Sequence, residues 1–132
     1  MNALDTNVLV RYLVADDKNM ATRALQLLRN AQESGEFHLV TTLVLLETLW
    51  VLRTKYGLAR QDICEAVLKL ENLSAMKFES PVLIRKFVQE TMTSNLELAD
   101  LLIALDAKEH GAEAVLTFDR RASRSPLFEA VP

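Results

Sequence analysis

The chain has 132 residues, 50% of them hydrophobic and 25% charged, with a net charge of -3. That length and mixture specify one globular domain, 1–132, with a single core, and exclude a disordered tail. The slightly acidic balance excludes a general electrostatic attraction to nucleic acid, and no apolar run approaches the roughly 20 residues that cross a bilayer. With no basic, apolar leader before Asp5 and a lone Cys64 that has no partner for an intrachain disulfide, the chain is expected in the cytoplasm, away from membranes.

The first residues form a short apolar run that stops at Asp5 and passes into the apolar-periodic segment 8–14. This predicts the carboxyl end of a first β-strand followed by a helix, with Thr6 or Asn7 as its cap. In open α/β sheets that is the place where ligands bind. Asp16 and Asp17 open a loop, and Asn19 is placed to cap a helix carrying Ala21, Ala24, Leu25, Leu27 and Leu28 and ending at Gly35. Residues 37–40 read as a short strand, Thr41 or Thr42 as the next cap, and 43–52 as an almost wholly apolar helix closed by Gly57. An amphipathic helix over 61–73 is followed by a candidate strand at 75–78, and Ser80-Pro81 supplies a cap with proline at the first helical position.

That helix fades around Thr93-Ser94-Asn95, and another runs over 97–110 before Gly111. Residues 114–118 are a strand, 119–125 a polar turn or short helix, and 128–131 a weak last strand. Strands alternating with helices imply an α/β fold with a mostly parallel sheet covered on both faces. All three glycines fall at helix ends, so neither a phosphate-cradling loop nor a dinucleotide fingerprint is present.

Four carboxylates stand out by their position. Glu47 and Asp100 interrupt apolar helices, where a lone buried acid costs several kcal/mol unless it is paired, protonated or bound to a metal. Asp5 and Asp119 each follow directly on an apolar strand, so the fold delivers them to the carboxyl edge of the sheet. Glu97 shares roughly the helical face of Asp100. Acids meeting at one edge repel, and a divalent cation is the simplest compensation. Oxygen donors without a Cys or His cluster suit Mg²⁺ or Mn²⁺, ions that commonly serve phosphate chemistry.

The ordered set Asp5-Thr6-Asn7-Val8-Leu9-Val10, Glu47, Ala99-Asp100-Leu101-Leu102-Ile103-Ala104 and Leu116-Thr117-Phe118-Asp119-Arg120 resembles the PIN-domain ribonucleases, specifically the VapC-type toxins of toxin-antitoxin pairs. The resemblance spans nearly the whole chain. It implies a three-layer α/β/α fold around a central, mostly parallel sheet, a Mg²⁺- or Mn²⁺-dependent endoribonuclease, a homodimer, and a small antitoxin protein that occupies the active site. On this resemblance Asp5, Glu47, Asp100 and Asp119 form the catalytic, metal-holding quartet, with Asp5 and Asp100 as principal ligands. Asn7 and Thr117 match supporting positions, and Glu97 falls where many relatives carry an additional acid. The implied reaction is attack of water on an RNA phosphodiester, leaving a 5′-phosphate and a 3′-hydroxyl.

Arg120, Arg121 and Arg124 follow Asp119, and Arg11 stands one helix from Asp5, so in that fold these cations would rim the acids and hold RNA phosphates. His38 and His110 lack partners at ligand spacing and are read as structural. Trp50 and Tyr56 are read as core or dimer contacts, and Asp16 and Asp17 as loop acids. Two competing functions share some of these features. A haloacid-dehalogenase-type phosphatase also places an Asp after its first strand but wants a second where this chain has Asn7, and a receiver-type phosphoacceptor needs an Asp at the end of a middle strand. A non-catalytic PIN-like RNA-binding module normally loses part of the quartet, and here all four positions are filled.

Overall fold

Asp5 ends the first extended segment and caps the first helix. Its carboxylate accepts the backbone N–H groups of Asn7 at 2.7 Å and Val8 at 3.3 Å, which starts α1 (Thr6–Val14) two residues before the apolar periodicity suggests. The computed structural model describes residues 1–132, and its elements fall into two compact units, Met1–Pro81 and Val82–Pro132.

In the first unit, α2 (Lys18–Ser34) is capped by Asp17, not Asn19, through the N–H of Met20 at 3.0 Å. It ends at Gly35, whose φ of +71° is the left-handed conformation that only glycine adopts without strain. Strand β1 (His38–Val40) pairs in parallel with β2 (Met76–Phe78), in the register His38 to Met76 and Val40 to Phe78. On its other side β1 takes one parallel bridge from Ala3, made by Leu4 N–H to the Leu39 carbonyl and Leu39 N–H to the Asn2 carbonyl, both 2.9 Å. The expected first strand is therefore a single bridge long.

Helix α3 (Thr42–Thr54) starts on Thr41, whose hydroxyl accepts the Val44 N–H at 3.2 Å. A second acceptor comes from far along the chain: Glu79, just past β2, takes the Thr42 N–H at 3.0 Å. The helix stops at Lys55, before Gly57. Helix α4 (Arg60–Glu71) has Ala59 at its N-cap and no side-chain acceptor there. Val40, Leu45, Leu49, Leu52, Ile63 and Leu70 are at most 2% exposed and form the core of this unit. Each such side chain contributes about 1.5–3 kcal/mol by leaving water.

Helix α5 (Pro81–Glu90) begins with proline, the last residue of the first unit, and continues into the second, where α6 (Leu98–Glu109) comes next. Strand β3 (Val115–Thr117) pairs in parallel with β4 (Phe128–Ala130), and a short 3-10 turn, Ala122–Arg124, lies between them in sequence. Leu83, Ile84, Phe87, Leu101 and Leu102 are at most 1% exposed. Parallel strand pairs together with helices make the chain α/β in both units.

A further sequence expectation is overturned. The run 43–52 reads as buried on nearly every side, yet α3 keeps an outward stripe: Leu43 is 78% exposed, Trp50 59%, and Glu47 between them is exposed as well. Trp50 is therefore not a core residue, and Glu47 needs no burial compensation. The apolar run is longer than the one face the neighbouring elements cover.

Candidate functional site

The acids of the first unit are Asp5 and Glu47. Asp5 is exposed at the amino end of α1, where the helix dipole favours a negative charge and two free N–H groups orient the carboxylate. Beside it Thr6 is buried, and its hydroxyl has no hydrogen-bond partner. Asn7, exposed one residue on, lines a shallow cleft of about 310 Å³ between α1 and α2, together with Arg11, Arg23 and Leu27.

Arg11 is not a free rim cation. Its Nη1 donates to Asp16 Oδ1 at 2.8 Å, and the Tyr56 hydroxyl donates to Asp16 Oδ2 at 3.0 Å, so one loop carboxylate ties the end of α1 to the end of α3. Hydrogen bonding from Arg11 holds the Asp16 carboxyl below its ordinary pKa, and Asp16 in turn raises the Tyr56 phenol. The sequence hides this link because Asp16 and Tyr56 are 40 residues apart. Asp17 is likewise a cap and not merely a loop acid.

The acids of the second unit are Asp100, Asp119 and Glu97. Asp100 stands in the first turn of α6, half-buried, while Glu97 is the N-cap residue of that helix. Burial first, and then repulsion from Asp119 and Glu97, push the Asp100 carboxyl above its ordinary pKa. Asp119 lies just past β3 and is exposed. Its carboxylate accepts the N–H groups of Arg121 at 2.8 Å and Ala122 at 3.2 Å, capping the 3-10 turn, and its own N–H donates to the Thr117 hydroxyl at 3.0 Å. Arg120, Arg121 and Arg124 are all exposed.

Thus Asp119 and Glu97 are close enough for their charges to act on Asp100, and Asp5 and Glu47 belong to the other unit. Neither unit by itself gathers three or more His, Cys, Asp or Glu side chains into a cluster able to hold a metal ion. The donor chemistry still fits a hard cation: the groups that repel are carboxylate oxygens, the ligands Mg²⁺ and Mn²⁺ take. His38 begins β1, and His110 closes α6 with its Nδ1 at 2.8 Å from the Asp106 carbonyl, so both stand apart from these acids in sequence and role.

The family model for the PIN domain matches residues 3–126, and the chain belongs to that family. A VapC ribonuclease of Aquifex aeolicus (strain VF5) is similar to it, 28% identical over 121 residues that make up 92% of this chain and 89% of the relative. No solved structure matches the chain. No helix is long and apolar enough to cross a membrane.

Proposed function

We propose that this chain is a Mg²⁺- or Mn²⁺-dependent endoribonuclease and the toxin of a type II toxin-antitoxin pair, a cytoplasmic homodimer held inactive by a small antitoxin protein. The observation that carries the reading is the half-buried Asp100, raised in pKa by its own burial and by Asp119 and Glu97. Such an arrangement is unfavourable in the bare protein and becomes favourable beside a divalent cation. Similarity to a VapC ribonuclease over most of both chains supports the choice of RNA as substrate. The family match, which spans residues 3–126, supports reading 1–132 as one domain. Asn7, where a phosphatase would need a second Asp, leaves that alternative unsupported.

In this reading Asp5 and Asp100 are the principal metal ligands, Glu47 completes their set, and Asp119 supports them. Bound Mg²⁺ or Mn²⁺ would lower the pKa of a water and orient a phosphoryl oxygen. Asp5 and Asp119 bring carboxylates already oriented by backbone N–H groups, so little side-chain freedom is lost when they engage. Thr117 fixes the backbone from which Asp119 projects. Exposed Arg120, Arg121 and Arg124 hold substrate phosphates that the acids alone would repel. Water attacks phosphorus in line, and the chain is cut to a 5′-phosphate and a 3′-hydroxyl.

The deciding experiment incubates the antitoxin-free chain with mixed tRNA and ribosomal RNA in Mg²⁺, in Mn²⁺ or in EDTA. New 5′-phosphate ends in either metal and none in EDTA are expected. Cleavage that survives EDTA, or none in either metal, overturns the proposal.

A further inference from the structure

Strand β3 places its side chains alternately on two faces. Val115 and Thr117 are half-buried, whereas Leu116 between them is 62% exposed and Phe118, the residue just past the strand, is 88% exposed. Burying a phenylalanine would contribute about 1.5–3 kcal/mol, and here the fold forgoes nearly all of it. This ring also has a particular neighbourhood. It immediately precedes Asp119, and three exposed arginines, Arg120, Arg121 and Arg124, come within the next six residues. None of their guanidinium groups is held in an ion pair. In a chain of net charge -3, this is a local reversal of sign.

An exposed aromatic face set beside unpaired cations is the combination that binds single-stranded nucleic acid. The cations track phosphates, and the ring stacks on a base, whichever base it is. We propose that Phe118 is a base-stacking residue: it holds the RNA base next to the scissile phosphate while the neighbouring arginines hold the backbone. The proposal rests on the ribonuclease reading and deepens it. Flexible, unpaired RNA can present a splayed base to this ring and a paired helix cannot.

The test is binding of a fluorescein-labelled single-stranded RNA in EDTA, where cleavage does not interfere, by the full chain and by Phe118→Ala and Phe118→Tyr. An abasic ribose-phosphate oligomer of the same length serves as the second probe. Phe118→Ala should weaken RNA binding roughly tenfold, Phe118→Tyr should restore it, and all three proteins should bind the abasic oligomer equally. In Mg²⁺ the alanine variant should raise KM by a similar factor with kcat little changed. Unchanged RNA binding by Phe118→Ala overturns the proposal, and so does an equal loss on both probes, which would mark a structural role. If Phe118→Ala instead lowers the mass measured by sedimentation and leaves RNA binding intact, the face joins copies of the chain and the proposal is wrong. A wild type that binds and cuts RNA while the variants match it refutes the stacking role alone, whereas a wild type that neither binds nor cuts RNA refutes the ribonuclease reading with it.

Discussion

Asp5 carries two separable duties, and a pair of substitutions can separate them. As an N-cap its carboxylate satisfies the N–H of Asn7 with a short bond and that of Val8 with a long one. Removing the acceptor by Asp5→Ala strands both donors at an exposed helix end, for which about 1 kcal/mol is a fair magnitude. In a domain of this size that lowers the thermal midpoint by about 3–5 °C. Asn is as good a cap as Asp, so Asp5→Asn should unfold within about 1 °C of wild type, a shift of a few tenths of a kcal/mol. Its chemistry should nevertheless be gone, because the amide keeps the shape and loses the charge that draws a cation. Circular dichroism melts, run alongside metal-dependent RNA cleavage, measure both quantities on the same preparations. An active Asp5→Asn refutes the metal-ligand role, and an alanine variant as stable as the asparagine one refutes the cap.

The same geometry sets three further outcomes. Asp100→Asn should abolish cleavage yet raise the melting temperature, since it removes an acid that burial, Asp119 and Glu97 all disfavour in its charged form; Mg²⁺ should stabilise wild type and leave the variant unmoved, and a metal-indifferent wild type would refute the cation reading. Ala59 sits in extended backbone at φ -66°, ψ 151° with no side-chain cap for α4, so Ala59→Asp should raise the urea unfolding free energy by about 1 kcal/mol. The Asp16 carboxyl, depressed in pKa by Arg11, contributes stability that is complete above its unfolded-state pKa and is lost as pH falls through the lower folded value. Asp16→Asn should therefore show a shallower loss of urea midpoint below about pH 4 than wild type.

The helices were legible because their apolar periodicity and their ends are local properties: Gly35 stops α2 and Thr41 opens α3 as their residue types suggest. Which of several good caps is used was not legible. Asp5, Thr6 and Asn7 can all cap a helix, and the choice falls to whichever residue last keeps extended backbone, here Asp5 at φ -91°, ψ 170°. The same ambiguity moved the cap of α2 from Asn19 to Asp17. The exposure of Glu47 was hidden for a different reason. An unbroken apolar run shows that some faces are covered but not how many, and the uncovered one of α3 carries Leu43 and Trp50. Partners far apart in sequence, such as Asp16 with Tyr56 or Glu79 with the start of α3, leave no local trace at all. The four acids stand out in the sequence by residue type and position, and the capping bonds of Asp5 and Asp119 emerged only with the backbone.

That outward stripe of α3 also limits what can land on it. Leu43, Glu47, Trp50 and Thr54 succeed one another at helical spacing, so no surface can cover the two large apolar groups without also drying the carboxylate between them. A purely greasy partner would leave a stranded anion in the contact, a penalty that can outweigh the area gained. A contact on this stripe is therefore favourable only where it brings a positive group or a proton donor to Glu47.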